Sequence, residues 1–72
     1  MAAGGVFVAT TVLLETEWVL RQTYRLSRPV IVDFLRALTV LTGVTIEDTD
    51  RLTTALDWVD AGMDFADALH LA

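Results

Sequence analysis

The sequence predicts a small, helix-rich α/β unit built on a parallel sheet. Three observations carry this. Val6-Phe7-Val8-Ala9 and Val44-Thr45-Ile46 are short runs rich in β-formers. Each is followed by two segments of helical periodicity. The resulting order, strand, two helices, strand, two helices, is the alternation that gives parallel strands joined by crossovers. Two parallel strands make a marginal sheet by themselves, so the order reads as the middle of an α/β domain. A single partial domain over residues 1–72 is therefore expected.

Each element has a local reason. Met1–Gly5 is a small-residue stretch, expected as a loose leader. The continuous apolar run over 6–9 predicts a strand buried on both faces. Thr10 and Thr11 are caps for a helix over about Val12 to Thr23. Glu17 and Arg21 fall on its expected solvent face as an i,i+4 pair in the favourable order. Ser27-Arg28-Pro29 is a helix start, with a Ser cap and Pro in the first turn. Val30, Ile31, Phe34, Leu35, Leu38 and Leu41 then share an apolar arc, with Asp33, Arg36 and Thr39 opposite. Gly43 is the expected stop. Val44–Ile46 is the second strand. Asp48 or Thr49 caps a third helix that turns Leu52, Ala55, Leu56 and Val59 inward, and Gly62 ends it. Asp64 caps a fourth helix from Phe65, which has no stop signal before Ala72.

Composition sharpens the picture. Hydrophobic residues make up 54% of 72 residues, and the mean hydropathy is +0.54. A chain this short buries only about 60% of the surface its unfolded form exposes. So many apolar side chains imply an assembly, either with a second copy or with another protein. The chain has no Cys, which excludes disulfides and thiolate metal sites, and its one His cannot build a zinc site alone. Five cationic residues against ten acids give a net charge of −5, the wrong sign for nucleic-acid binding through a broad basic surface. The longest uncharged stretch, Met1 to Leu14, is shorter than the roughly 20 residues of a membrane span. It also lacks the basic start of a secretory signal. The expected protein is soluble and cytoplasmic, with no membrane partner.

Two acids stand out. Glu15 lies between Trp18 and Val19 on the helix surface, with no local base. A carboxylate on a largely apolar arc needs compensation, and a metal ion supplies it. The plainer alternative is a glutamate at the margin of the buried face with its head in water. Asp67 sits in the first turn of the last helix, three residues after Asp64. Acids there favour the helix dipole, and Asp64 is an ordinary N-cap. Asp67 also projects near the strand ends, where open α/β sheets bind ligands. Glu15, expected in the first turn of a helix that follows a strand, points to the same edge. Two converging carboxylates suit Mg²⁺ or Mn²⁺.

The remaining polar and aromatic residues read more plainly. His70 is a helix-surface or interface residue within i,i+3 reach of Asp67. Trp18 and Trp58 are core or interface anchors, and Met63 is a gap-filler. Arg21, Arg25 and Arg28 gather at the first helix–helix turn as a solvated charge group, able to touch phosphate or an acidic partner. There is no Gly-rich phosphate loop and no nucleophile elbow.

The residues also resemble a family. Val12-Leu13-Leu14-Glu15-Thr16-Glu17-Trp18-Val19-Leu20-Arg21, followed by Tyr24, resembles the second-acid helix of PIN-domain proteins, in particular the VapC-type ribonuclease toxins of toxin–antitoxin pairs. Asp64-Phe65-Ala66-Asp67-Ala68-Leu69-His70-Leu71-Ala72 resembles that family's third-acid helix. Order and separation agree, and the likeness runs from about Val6 to Ala72.

The resemblance implies a three-layer α/β/α fold around a parallel sheet and a Mg²⁺- or Mn²⁺-dependent endoribonuclease. Glu15 and Asp67 would be catalytic metal ligands, and Asp64 a supporting residue. RNA would be the substrate and an antitoxin a partner. The chain departs from the pattern at both ends. No acid precedes Glu15, where the family carries its first Asp, and no later strand supplies a further Asp. The expectation is a PIN-like unit truncated at both ends, with weakened metal binding and little or no nuclease activity. The alternative is a non-catalytic module that self-associates or binds an antitoxin-like helix.

Overall fold

The computed structural model describes residues 5–72. The leader expected over 1–5 lies outside them except for Gly5. The order of elements is β1 (Val6–Val8), α1 (Thr10–Gln22), α2 (Arg28–Leu38), β2 (Val44–Ile46), α3 (Thr49–Asp60) and α4 (Phe65–Leu71). The described chain is thus a small helix-rich α/β unit with four helices and one two-stranded parallel sheet.

The strands pair with Val6 opposite Val44, Phe7 opposite Thr45 and Val8 opposite Ile46. The ladder extends one residue at each end. Val6 N–H donates to the Gly43 carbonyl at 2.7 Å, and Glu47 N–H donates to the Val8 carbonyl at 3.0 Å. Gly43 does not stop α2, which ends at Leu38. It sits at φ +85° immediately before β2 and feeds the ladder. β1 is not buried on both faces: Val6 and Phe7 are exposed, and Val8 is the residue that packs inward. Among the described residues no further strand covers the edges of this ribbon, so the start of β1 stays exposed and only its last residue, next to α1, reaches the core.

α1 begins two residues earlier than its sequence signals predict. Its N-cap is Ala9, and neither Thr10 nor Thr11 supplies a side-chain cap. The cap comes instead from Glu47, across 37 residues: its Oε1 accepts from Thr10 N–H at 2.9 Å. Leu13 is buried on this helix, and Glu17 is buried with it at 8% exposure. The expectation of a solvent-facing Glu17 is therefore corrected. At about 100° per residue, Glu17 falls in line with Leu13 and Leu20, on the face that packs inward. The i,i+4 pair does form, with Arg21 Nε donating to Glu17 Oε2 at 2.8 Å, and Arg21 covers the carboxylate from the solvent side.

α2 starts as expected, with Ser27 extended at the N-cap and Pro29 in the first turn, although the Ser27 hydroxyl makes no capping bond. Its buried face is rotated from the predicted arc. Ile31, Val32 and Leu35 are buried, while Val30, Phe34 and Leu41 are exposed. The cause lies across the interface. Arg36, expected on the outer face, donates to Asp57 and Asp60 of α3 at 2.8 Å each, and turning towards α3 brings Val32 inward. These two carboxylates, Asp60 first, hold the Arg36 guanidinium charged beyond its ordinary range. The pairs are exposed, so they orient the helices more than they stabilise them.

α3 follows its signals closely. Asp48 Oδ1 accepts from Arg51 N–H at 3.1 Å. Leu52, Ala55, Leu56 and Val59 are all buried. Gly62, at φ +112°, ends the helix. Gly62 N–H bonds the Val59 carbonyl at 2.9 Å and Met63 N–H bonds the Trp58 carbonyl at 3.0 Å, the paired bonds of a Schellman motif. The chain reverses there, and Asp64 Oδ2 caps α4 through the N–H groups of Ala66 and Asp67. Phe65, Ala68 and Leu69 of α4 complete a core in which α3 lies between α2 and α4. Trp58 and Met63 pack against that core, while Trp18 is 55% exposed and is no part of it.

Candidate functional site

The carboxyl ends of the two strands feed Glu47 and Thr10, and this edge is where a parallel α/β unit places a ligand. Glu47, one residue past β2, carries a carboxylate to the edge, and its Oε1 is engaged by Thr10 N–H. Thr10 also lines a shallow groove with Leu14, Arg51, Asp67 and His70. Asp67, the third residue of α4, is exposed there. Its own N–H is held by Asp64 at 3.3 Å, so Asp64 both caps the helix and fixes the turn that carries Asp67. His70, also exposed, lies one turn further along the same groove.

Arg51 is the residue at this edge that sequence reasoning missed. Its Nε donates to the Leu69 carbonyl at 2.8 Å, one of the carbonyls that the last turn of a helix leaves unpaired. Asp64 and Arg51 thus hold the two ends of α4, and Arg51 adds a positive charge to the groove of Asp67. Arg51 follows an N-cap acid and looks from the sequence like a first-turn surface residue. Glu47 was equally silent, and its place immediately after a strand is the only signal it gives.

Glu15 is not at this edge. It is the sixth residue of α1, in the second turn instead of the first, because the helix begins at Thr10. Thr10 and Leu14 form the line of α1 that looks towards α4, and Glu15 lies about 100° around from Leu14. It is exposed, and lines a different groove with Val12, Thr16, Val19 and Leu20. Glu15 and Asp67 therefore do not share a cleft. No group of three or more Asp, Glu or His side chains placed to hold a metal occurs among the described residues. A divalent cation would meet one carboxylate in each groove, not a preformed chelate.

A second polar cluster lies on the other side of α1. Glu17 and Arg21 reach a cleft of about 190 Å³, where they meet Arg28 and Asp64. Arg21 is held charged beyond its ordinary range, first by its hydrogen bond to Glu17 and the charge of that carboxylate, with a smaller contribution from Asp64. Arg28 makes a single long bond, from Nη1 to the Val59 carbonyl at 3.5 Å. The arginines expected as one solvated group at the first helix–helix turn thus divide. Arg21 pairs with an acid, Arg28 closes on a carbonyl, and Arg25 occupies the left-handed region at φ 57°.

No protein-family model, curated protein or solved structure matches this chain. No helix among the described residues is long and apolar enough to cross a membrane.

Proposed function

We propose that this chain is a PIN-like unit of the VapC type, related to Mg²⁺- or Mn²⁺-dependent endoribonucleases, in which Glu15 and Asp67 are the metal-binding carboxylates and Asp64 supports Asp67. The observation that carries this reading is the place of Asp67: first turn of α4, in one groove with Thr10, the residue at which β1 hands over to α1. The strand–helix–helix order with parallel pairing supports it as well. A divalent ion, when bound, would supply charge neutralisation at an RNA phosphate and an activated water. The chain's own contribution is to orient Asp67 through the Asp64 cap and to keep Arg51 beside it. With Glu15 in a separate groove from Asp67, metal binding through these two carboxylates is weak and nuclease activity is slight.

The test is RNA cleavage by the purified chain with Mn²⁺, run beside Glu15→Ala and Asp67→Ala. Little or no cleavage is expected from all three. A robust cut by the parent chain that Glu15→Ala abolishes would contradict the claim of slight activity while supporting the assignment of Glu15. A robust cut that neither substitution changes would contradict the site itself.

A second reading rests on a separate observation. Among the described residues twelve large apolar side chains are substantially exposed, among them Phe7, Val30, Phe34 and Val40. So much exposed apolar surface on so small a chain favours burial against a partner. In this reading the chain is a non-catalytic module that associates with a second copy. An antitoxin-like helix is the other partner it would take.

A further inference from the structure

We propose that Met63 is an oxidation site through which peroxide loosens the reversal between α3 and α4. Met63 carries the one sulfur atom among the described residues, since the chain has no Cys and Met1 lies outside them. The proposal is independent of the ribonuclease reading and uses none of its residues. Position gives the thioether a structural role. Met63 follows Gly62, the residue at φ +112° that ends α3, and its N–H bonds the Trp58 carbonyl at 3.0 Å. In a Schellman motif the two residues joined by that bond commonly make an apolar side-chain contact as well. Met63 and Trp58 fit this pattern: both are half-buried, both pack against the core, and both border one groove. Sulfur beside an aromatic ring is a favourable pairing in its own right.

Access decides whether the sulfur reacts. The groove is open and measures about 410 Å³, with the exposed residues Ala61 and Leu71 as its other walls. A water molecule takes roughly 30 Å³ of liquid volume, so hydrogen peroxide has room to reach Met63. The reaction is an oxygen-atom transfer. A sulfur lone pair attacks one peroxide oxygen, the O–O bond breaks and an S–O bond forms. Sulfur is oxidised by two electrons, and the second oxygen is reduced and leaves as water with both hydrogens. The product is a polar sulfoxide. It sets a dipole against Trp58, Ala61 and Leu71, where the apolar contact of the reversal stood.

The test treats the folded chain with dilute hydrogen peroxide and follows the peptide 52–72 by mass. Trypsin releases that peptide after Arg51, which separates Met63 from Met1. The peptide is expected to gain one oxygen atom at a rate within about tenfold of that in the urea-unfolded chain, because access governs susceptibility. The oxidised chain should unfold at a urea midpoint at least about 0.3 M below that of the reduced chain, and methionine sulfoxide reductases should restore it. Met63→Leu keeps the apolar contact and should hold its midpoint under the same treatment, although it retains Met1 and both tryptophans. Met63→Gln, a polar side chain of similar length, should lower the midpoint without any oxidant. The proposal is overturned by a Met63 that oxidises only in the unfolded chain, by an unchanged midpoint after full oxidation, or by equal peroxide sensitivity in the Met63→Leu chain.

Discussion

Replacing Leu56 by alanine is expected to remove about 2–5 kcal/mol of folding stability. Leu56 has no solvent exposure. It sits on α3, the helix that α2 and α4 both pack against, so the deleted methyls leave a cavity that neither neighbour closes without moving. A chain of 72 residues has a total stability of roughly 4–11 kcal/mol at typical values per residue. The substitution therefore removes a large share of the whole, and at the lower end it unfolds the chain. Urea unfolding followed by circular dichroism reads this directly. Val40→Ala is the control: Val40 is 81% exposed, and its loss should change stability by no more than about 0.5 kcal/mol. Equal effects at the two positions would mean that the core is not centred on α3.

The second large effect is on mass in solution. Light scattering at tens of micromolar is expected to return at least twice the 7.9 kDa of the chain. Exposed Val30 and Phe34 stand one turn apart on α2, and exposed Val6 and Phe7 lie on a strand whose outer edge has no partner among the described residues. Leaving these surfaces in water forgoes burial at about 25 cal/mol per Å². A glutamate at Phe34 places a charge in the middle of the helical surface, and Val30→Glu/Phe34→Glu is expected to shift the population towards monomer. A parent chain that stays monomeric across that range contradicts association.

What could be read from the sequence follows from how local each cause is. The α3 helix was legible in its inward set Leu52, Ala55, Leu56 and Val59 and its terminal Gly62, with the cap narrowed to Asp48 or Thr49 and found at Asp48, because these signals all lie within one element. The same holds for Asp64 as the cap of α4 and for Val44–Ile46 as a strand. The misses come from causes distant in sequence. The start of α1 is set by Glu47, which no local rule connects to Thr10. The rotation of α2 goes with the hold of Arg36 on Asp57 and Asp60 of another helix, and an amphipathic count sees only one helix at a time.

Glu17 was misplaced for a related reason. A charged residue with an i,i+4 partner looks solvent-facing, yet helical phase lines it up with Leu13 and Leu20, and the pair formed is what makes its burial tolerable. At the candidate site, the place of Asp67 at a helix start was legible. The place of Glu15 depended on where α1 begins, and an error of two residues there moved it from the first turn to the second.

On the proposed reading, Glu15 and Asp67, each in its own groove, are the carboxylates at which this chain takes divalent ions. Calorimetric titration with Mn²⁺ tests it most directly, because it reads binding whether or not RNA is cut. Weak but saturable binding by the parent chain, reduced by both Glu15→Ala and Asp67→Ala and unchanged by Asp33→Ala on the far side of α2, is the expected result. Absence of any saturable heat, or binding that both alanine substitutions leave untouched, would contradict the claim.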